Sequence, residues 1–178
     1  MGEEAKTRIM IRVTDNMCRS MDAFAGSTHA SRPDVVVDAC RKFYTEICTR
    51  EMLILDAVEE RKVSREVGQA VYYEELESYI ETIREDYEAT AKMGRDSISI
   101  LVVFPYMLLE QMNRVIERTR QFKNHQDFIK IALMYFFASQ RDILCHEKKI
   151  EDFLKSSDIK GEVDRIREMI RNKEKPVQ

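Results

Sequence analysis

The fold is decided by residues 8–14, which read RIMIRVT. Apolar residues alternate strictly with the others in this segment, and a period of two predicts a strand that is buried on one face. Three residues share the face that we expect to be buried: Ile9, Ile11 and Val13. Three others share the face that is predicted to point outward: Arg8, Met10 and Arg12.

Two helices are predicted to follow this strand. Asp15 is expected as the N-cap of the first helix and Gly26 as the residue that ends it. The segment Ser31-Arg32-Pro33-Asp34 has capping-box spacing and a proline in the first turn, which predicts the start of a second, longer helix. Its apolar stripe consists of Val35, Val36, Ala39, Cys40 and Phe43.

The same order of elements returns roughly ninety residues later. Residues 98–104 form a second strand pattern, Pro105 opens a helix, and residues 124–127 (NHQD) cap another. The second loop between helices has two extra residues. We therefore predict two copies of one strand-helix-helix unit.

The segment between the copies is predicted to be helical, because residues 44–93 contain no proline and only one glycine, Gly68. We expect the second helix to continue to near Arg61 and another to span residues 64–92. Beyond the second copy, apolar spacing favours one or two further helices, with a frayed end at residues 172–178.

Composition limits the possible classes of protein. The few Gly and Pro residues favour a mainly α fold, and no apolar run approaches the length that spans a bilayer. The four cysteines are widely spaced without a CxxC pair, which is typical of reduced thiols in a cytoplasmic protein. A net charge of -3 means that any contact with nucleic acid needs a local basic patch, and the acid-free segment 6–13 is such a patch.

The strand, the two helices and the capped second helix resemble the ribbon-helix-helix family of transcription regulators, the Arc, MetJ and CopG type. The resemblance covers residues 6–48 well and residues 97–138 by pattern. It implies an N-terminal ribbon-helix-helix domain at residues 1–50 and a helical connector at 51–96. A second, ribbon-helix-helix-like oligomerisation domain with C-terminal helices would occupy residues 97–178.

In that family the strands of two chains pair into an antiparallel ribbon that enters the major groove of DNA. The resemblance then makes Arg8, Met10 and Arg12 the residues that contact base edges. Arginine can bind guanine through two hydrogen bonds, and methionine can touch a thymine methyl group. The resemblance also assigns phosphate contacts to the start of the second helix and to the start of the strand, namely to Ser31, Arg32, Lys6 and Thr7.

The second copy departs from this pattern at its outward positions, which are Ser99, Leu101 and Val103. None of them is basic, and residues 98–104 read as an almost unbroken apolar run that favours a strand covered on both faces. We therefore expect the second copy to pair with another chain as an oligomerisation core. Pairing of the two copies within one chain is the main alternative.

Other candidate sites carry little weight. His29, His125, His146 and Cys145 lack the spacing of a metal site, and we expect no metal or other cofactor. No phosphate-binding glycine loop or nucleophile-base pair is present in the sequence, so we expect no enzymatic activity.

The favoured function is a sequence-specific transcriptional regulator that binds double-stranded DNA as a homodimer or a tetramer in the cytoplasm, associated with the nucleoid and not with a membrane. One alternative is the antitoxin of a toxin-antitoxin pair, with the toxin as protein partner. The other is a helical scaffold or interaction protein without DNA binding.

Overall fold

A computed structural model describes residues 6–28, 30–90 and 96–155 of the chain. The described part is mainly helical and contains a two-stranded antiparallel sheet, as expected. In chain order the elements are β1 (Lys6–Thr14), α1 (Asp15–Thr28), α2 (Arg32–Glu60), α3 (Arg65–Thr90), β2 (Asp96–Pro105), α4 (Tyr106–Thr119) and α5 (His125–Lys155). Within these residues, no helix combines the length and the apolar character needed to cross a bilayer.

The predicted repeat of strand, helix and helix is confirmed. β1 ends at Thr14 and β2 at Pro105, and each is followed directly by a helix of 14 residues. The core repeats with the elements, because Met17 and Met21 of α1 are buried at the positions that Leu108 and Met112 hold in α4. The two copies therefore bury the same faces of corresponding helices.

The two strands pair with each other within one chain, with Met10 opposite Leu101. Our expectation that the second copy pairs with another chain was therefore wrong. On the inner face Ile11 lies opposite Ile100, and both side chains are buried. The ribbon thus has an inner apolar layer to which both copies contribute.

Aromatic packing joins the two copies below the ribbon. The centre of the Phe43 ring, on α2, lies 5.3 Å from the centre of the Phe128 ring and 5.5 Å from the centre of the Tyr135 ring, both on α5. The ring of Phe24, on α1, meets Phe136 edge-on at 4.9 Å. One compact unit extends to Ala138, and the described residues from Ser139 to Lys155 belong to a second unit.

The boundaries of α1 differ from the prediction at both ends. Thr14 accepts a hydrogen bond from the Met17 N–H (3.2 Å), so Thr14 caps the helix, and Asp15 pairs with Arg19 in the first turn. Gly26 lies inside the last turn and has a negative φ, so it does not end the helix. The hydroxyl groups of Ser27 and Thr28 donate to the Phe24 carbonyl near the observed end.

The helices α2 and α3 form a long antiparallel hairpin close to the predicted bounds. The guanidinium of Arg50 lies 3.5 Å from the centre of the Tyr79 ring and donates to Glu46 at 2.7 Å, which ties the two helices together. The apolar seam predicted for α3 is correct at four positions, which are Leu76, Ile80, Ile83 and Tyr87. Val67 and Val71 are exposed instead, because the buried stripe of α3 runs through Gly68 and Tyr72, each one position further along the chain.

At the C-terminal end, α5 continues to Lys155 and takes in the apolar positions from Ile143 to Leu154, so these positions do not form a separate helix. The helix predicted around Val163, Ile166 and Ile170 and the fray at 172–178 lie outside the described residues. Of the cysteines, Cys18 and Cys40 are buried free thiols and Cys48 is partly buried. Burial raises the pKa of the Cys40 thiol, which keeps that thiol protonated.

Candidate nucleic-acid interface

The outer face of the β1–β2 ribbon consists of three cross-strand pairs: Arg8 with Val103, Met10 with Leu101, and Arg12 with Ser99. These side chains point outward because the residues between them form the buried inner face, and successive side chains of a strand alternate. Met10 is 57% exposed, Leu101 47% and Val103 41%. We call these six residues the outer ribbon face.

The charge of the outer ribbon face is purely positive. Arg8 and Arg12 are exposed, and neither forms an ion pair with any residue that the structure describes. Their cross-strand neighbours, Val103 and Ser99, are uncharged. Two guanidinium groups are therefore available to an anion or a hydrogen-bond acceptor.

The apolar half of this face was expected to be covered. Within the chain, Leu101 and Val103 remain exposed, and the residues after β2 extend the apolar surface, because Tyr106 and Met107 are also about half exposed. The face thus combines two cations with exposed apolar side chains.

The start of α2, to which the resemblance assigns phosphate contacts, lies next to the ribbon. A cleft of about 340 Å³ is lined by Asp34, Val37, Asp38 and Arg41 of α2 and by Val103 and Pro105 of β2. The first turns of α2 therefore flank the end of the ribbon that carries Arg8.

Ser31 caps α2 with the full capping box. The Asp34 N–H donates a hydrogen bond to Ser31 Oγ (3.4 Å), and the Ser31 N–H donates one to Asp34 Oδ2 (2.9 Å). The Ser31 hydroxyl group donates to the same carboxylate (2.5 Å), and these hydrogen bonds lower the pKa of Asp34. The helix start thus already has one carboxylate near its free N–H groups, which reduces its affinity for a second anion.

The Arg32 side chain has a partner in the chain. Its Nε and Nη2 atoms donate to the two carboxylate oxygens of Asp22 at 2.5 and 2.7 Å. This two-bond contact lowers the pKa of Asp22 and orients the guanidinium toward α1. The Asp22 carboxylate holds two of the five N–H groups of Arg32 and offsets its charge, so Asp22 weakens any contact of Arg32 with a phosphate.

The strand begins with Lys6 and Thr7, and the structure describes the side chain of Thr7 only. The backbone of Lys6 pairs with Pro105, but its side chain lies outside the described part. Thr7 is exposed at the same end of the ribbon, opposite Phe104. Lys6, Thr7 and Arg8 thus follow one another along the end of the ribbon that faces the start of α2.

A second helix start was missed as a candidate. Asn124 Oδ1 accepts from the Asp127 N–H (3.0 Å), and Asp127 accepts from the Lys123 N–H (3.1 Å), so α5 begins with a cap that mirrors Ser31 and Asp34. The sequence repeat could have identified this helix start as a candidate, because Asn124 corresponds to Ser31 in the second copy. Lys123 then lies just before the cap. It is exposed and adds a cation where the first copy has Ala30.

The described residues hold no cluster of metal-ligating side chains. The Nε2 atom of His125 forms a hydrogen bond of 2.5 Å with Oδ1 of Asn113, on α4. His29, His146 and Cys145 lie outside the residues whose side chains are described. Comparison of the chain with protein-family models, with curated proteins and with solved structures gave no match.

Proposed function

We propose that this chain is a sequence-specific DNA-binding transcriptional regulator of the ribbon-helix-helix type, in which the two repeats of a single chain supply both halves of the ribbon. The observation that carries the proposal is the outer ribbon face, which offers Arg8, Met10 and Arg12 opposite cross-strand partners that are all uncharged. A two-stranded ribbon fits the major groove of B-DNA, which is about 12 Å wide.

In this proposal the ribbon reads the bases and the helix starts position the chain. Arg8 and Arg12 each donate two hydrogen bonds to guanine O6 and N7, and Met10 touches a thymine methyl group. Backbone N–H groups near Ser31 and Asn124 contact phosphates on either side, together with Lys6, Thr7 and Lys123. The contribution of Arg32 is reduced by its contact with Asp22.

A ribbon formed within one chain changes the homodimer or tetramer that was expected from the sequence. The ribbon needs no second chain, so a homodimer or a tetramer is required only if the site on DNA is occupied by more than one copy. A location in the cytoplasm, close to DNA, follows from the proposed function and stays a prediction.

The test is a titration of genomic DNA fragments with the wild-type chain and with Arg8→Ala/Arg12→Ala at two salt concentrations. We expect a loss of about 1–3 kcal/mol in specific binding for each lost guanine contact and a steep salt dependence for the wild type. The matched control is Arg61→Ala/Arg65→Ala, which removes the same charge from exposed residues at the tip of the hairpin. Equal losses in both variants would refute readout by the ribbon.

A protein-binding role without DNA is the second candidate, and the exposed apolar half of the outer ribbon face favours it. A helical interaction protein, or an antitoxin that binds its toxin, would cover Leu101 and Val103 with a partner. In that case Leu101→Ser/Val103→Ser would abolish partner binding, and no salt-dependent DNA complex would form with the wild type.

A further inference from the structure

We infer that the DNA element bound by this chain is not a palindrome, and that its specific guanines lie on one strand of the duplex. The inference rests on the proposed DNA-binding function and concerns the sequence that the outer ribbon face selects. It follows from how the two repeats differ at equivalent positions.

The ribbon has an approximate two-fold axis that passes through the pair Met10 and Leu101. The register places Arg8 and Arg12 at equal distances from that axis along β1, with Val103 and Ser99 opposite them on β2. The rotation that exchanges the two strands therefore brings Ser99 to the position of Arg8 and Val103 to the position of Arg12. Each arginine has an uncharged equivalent.

A ribbon made by two identical chains would carry each arginine twice, once on each strand. Its guanine contacts would then fall on opposite DNA strands in the two halves of the site, and the site would be an inverted repeat. Here both guanidinium groups belong to β1. They lie along one side of the groove, so the two guanines that they select belong to the DNA strand on that side.

The spacing between the guanines follows from strand geometry. Arg8 and Arg12 are four residues apart, or about 13 Å along a strand that rises roughly 3.3 Å per residue. A base-pair step advances about 3.4 Å along the axis of the duplex, and a ribbon that follows the groove runs obliquely to that axis, so this length spans at most about four base-pair steps. The selected strand should therefore carry two guanines no more than about four base pairs apart.

The β2 side of the outer ribbon face is expected to select different bases from the β1 side. Leu101 and Val103 have no hydrogen-bonding group, and the apolar feature of the major groove is the thymine methyl group. Ser99 can donate to or accept from several bases and adds little selectivity. We therefore expect thymines near Leu101 and Val103 and no second pair of guanines.

The experiment is selection of bound duplexes from a randomised pool by the full-length chain, followed by affinity measurements on the selected site. The expected result is a non-palindromic site with two guanines on one strand. Replacing its thymines by deoxyuridine, which removes the methyl group, should weaken binding about fivefold or more, and Leu101→Ala/Val103→Ala should reduce this difference to the part that Met10 supplies. A palindromic site, or a site whose affinity is unchanged by deoxyuridine, would overturn the inference.

A symmetrised variant provides the matched test. Ser99→Arg/Val103→Arg gives β2 the same arginines as β1, at exposed positions that leave the inner face intact. Selection with this variant should yield an inverted repeat, and an unchanged site would overturn the inference. If the wild type selects no duplex even at low salt, the proposed function fails together with the inference; a palindrome that depends on Arg8 and Arg12 refutes only the asymmetry.

Discussion

At the scale of single residues, the contact between Arg32 and Asp22 decides how much the start of α2 can contribute to binding. The resemblance made Arg32 a phosphate ligand, but two of its five N–H groups are used by the Asp22 carboxylate, which also offsets its charge. No pattern in the sequence links residues 22 and 32, because the pair forms only once α1 and α2 have packed. The predicted role of Arg32 therefore requires that DNA compete with this carboxylate.

This competition gives a prediction for Asp22→Ala. Removing the carboxylate frees the Arg32 guanidinium, so we expect affinity to rise by a similar factor for all duplexes, since phosphate contacts carry no sequence preference. The measurement is the dissociation constant on specific and random duplexes at one salt concentration. Asp56→Ala, which changes the net charge equally at an exposed position of α2, is the control. Equal effects of the two substitutions would mean that Arg32 has no role.

At the scale of elements, the alternation in residues 8–14 predicted the strand, its inner face and its outer face correctly. The starts of α2 and α5 were also predictable, because capping residues act through neighbours three positions away. The end of α1 was not, since Gly26 is compatible with a helix, and the helix continues to Ser27 and Thr28, whose hydroxyl groups donate to the Phe24 carbonyl. The starts of α2 and α5 thus follow from local capping chemistry, whereas a single glycine does not determine where a helix ends.

The orientation of β1 predicts opposite outcomes for adjacent substitutions. Ile11→Lys places a charge in the buried layer opposite Ile100 and should prevent folding, because the cost of burying an unpaired charge is comparable with the whole stability of a domain, about 5–15 kcal/mol. Met10→Lys, one residue away on the outer ribbon face, should fold normally. Circular dichroism and thermal unfolding of both variants provide the check, and a folded Ile11→Lys chain would mean that the inner and outer faces are reversed.

At the scale of the whole molecule, the hairpin of α2 and α3 explains why the strands pair within one chain. The 29 residues of α2 carry the chain about 44 Å away, and the 26 residues of α3 bring it back about 39 Å, at roughly 1.5 Å per residue. The tether returns β2 to the neighbourhood of β1, and its high effective concentration favours the partner in the same chain. The sequence pattern could not decide this point, because the inner faces of both strands are apolar and would fit a partner in either chain.

Pairing within the chain predicts that folding does not depend on concentration. An obligate dimer loses stability on dilution, whereas a ribbon closed within one chain does not. We expect the midpoint of urea unfolding, followed by circular dichroism, to stay constant over a hundredfold range of protein concentration. A midpoint that rises steadily with concentration would indicate that the ribbon is completed by a second chain.

Site-specific crosslinking shows whether the outer ribbon face is the surface that contacts DNA. A photoreactive amino acid is placed at Met10 in one variant and at Met52 in another, because Met52 is also an exposed methionine, 64% accessible, but lies on the hairpin. Both variants are irradiated with a selected duplex under conditions where binding is complete. The account predicts a protein-DNA crosslink from position 10 and none from position 52. A crosslink from position 52, or normal affinity without any crosslink from position 10, would contradict it.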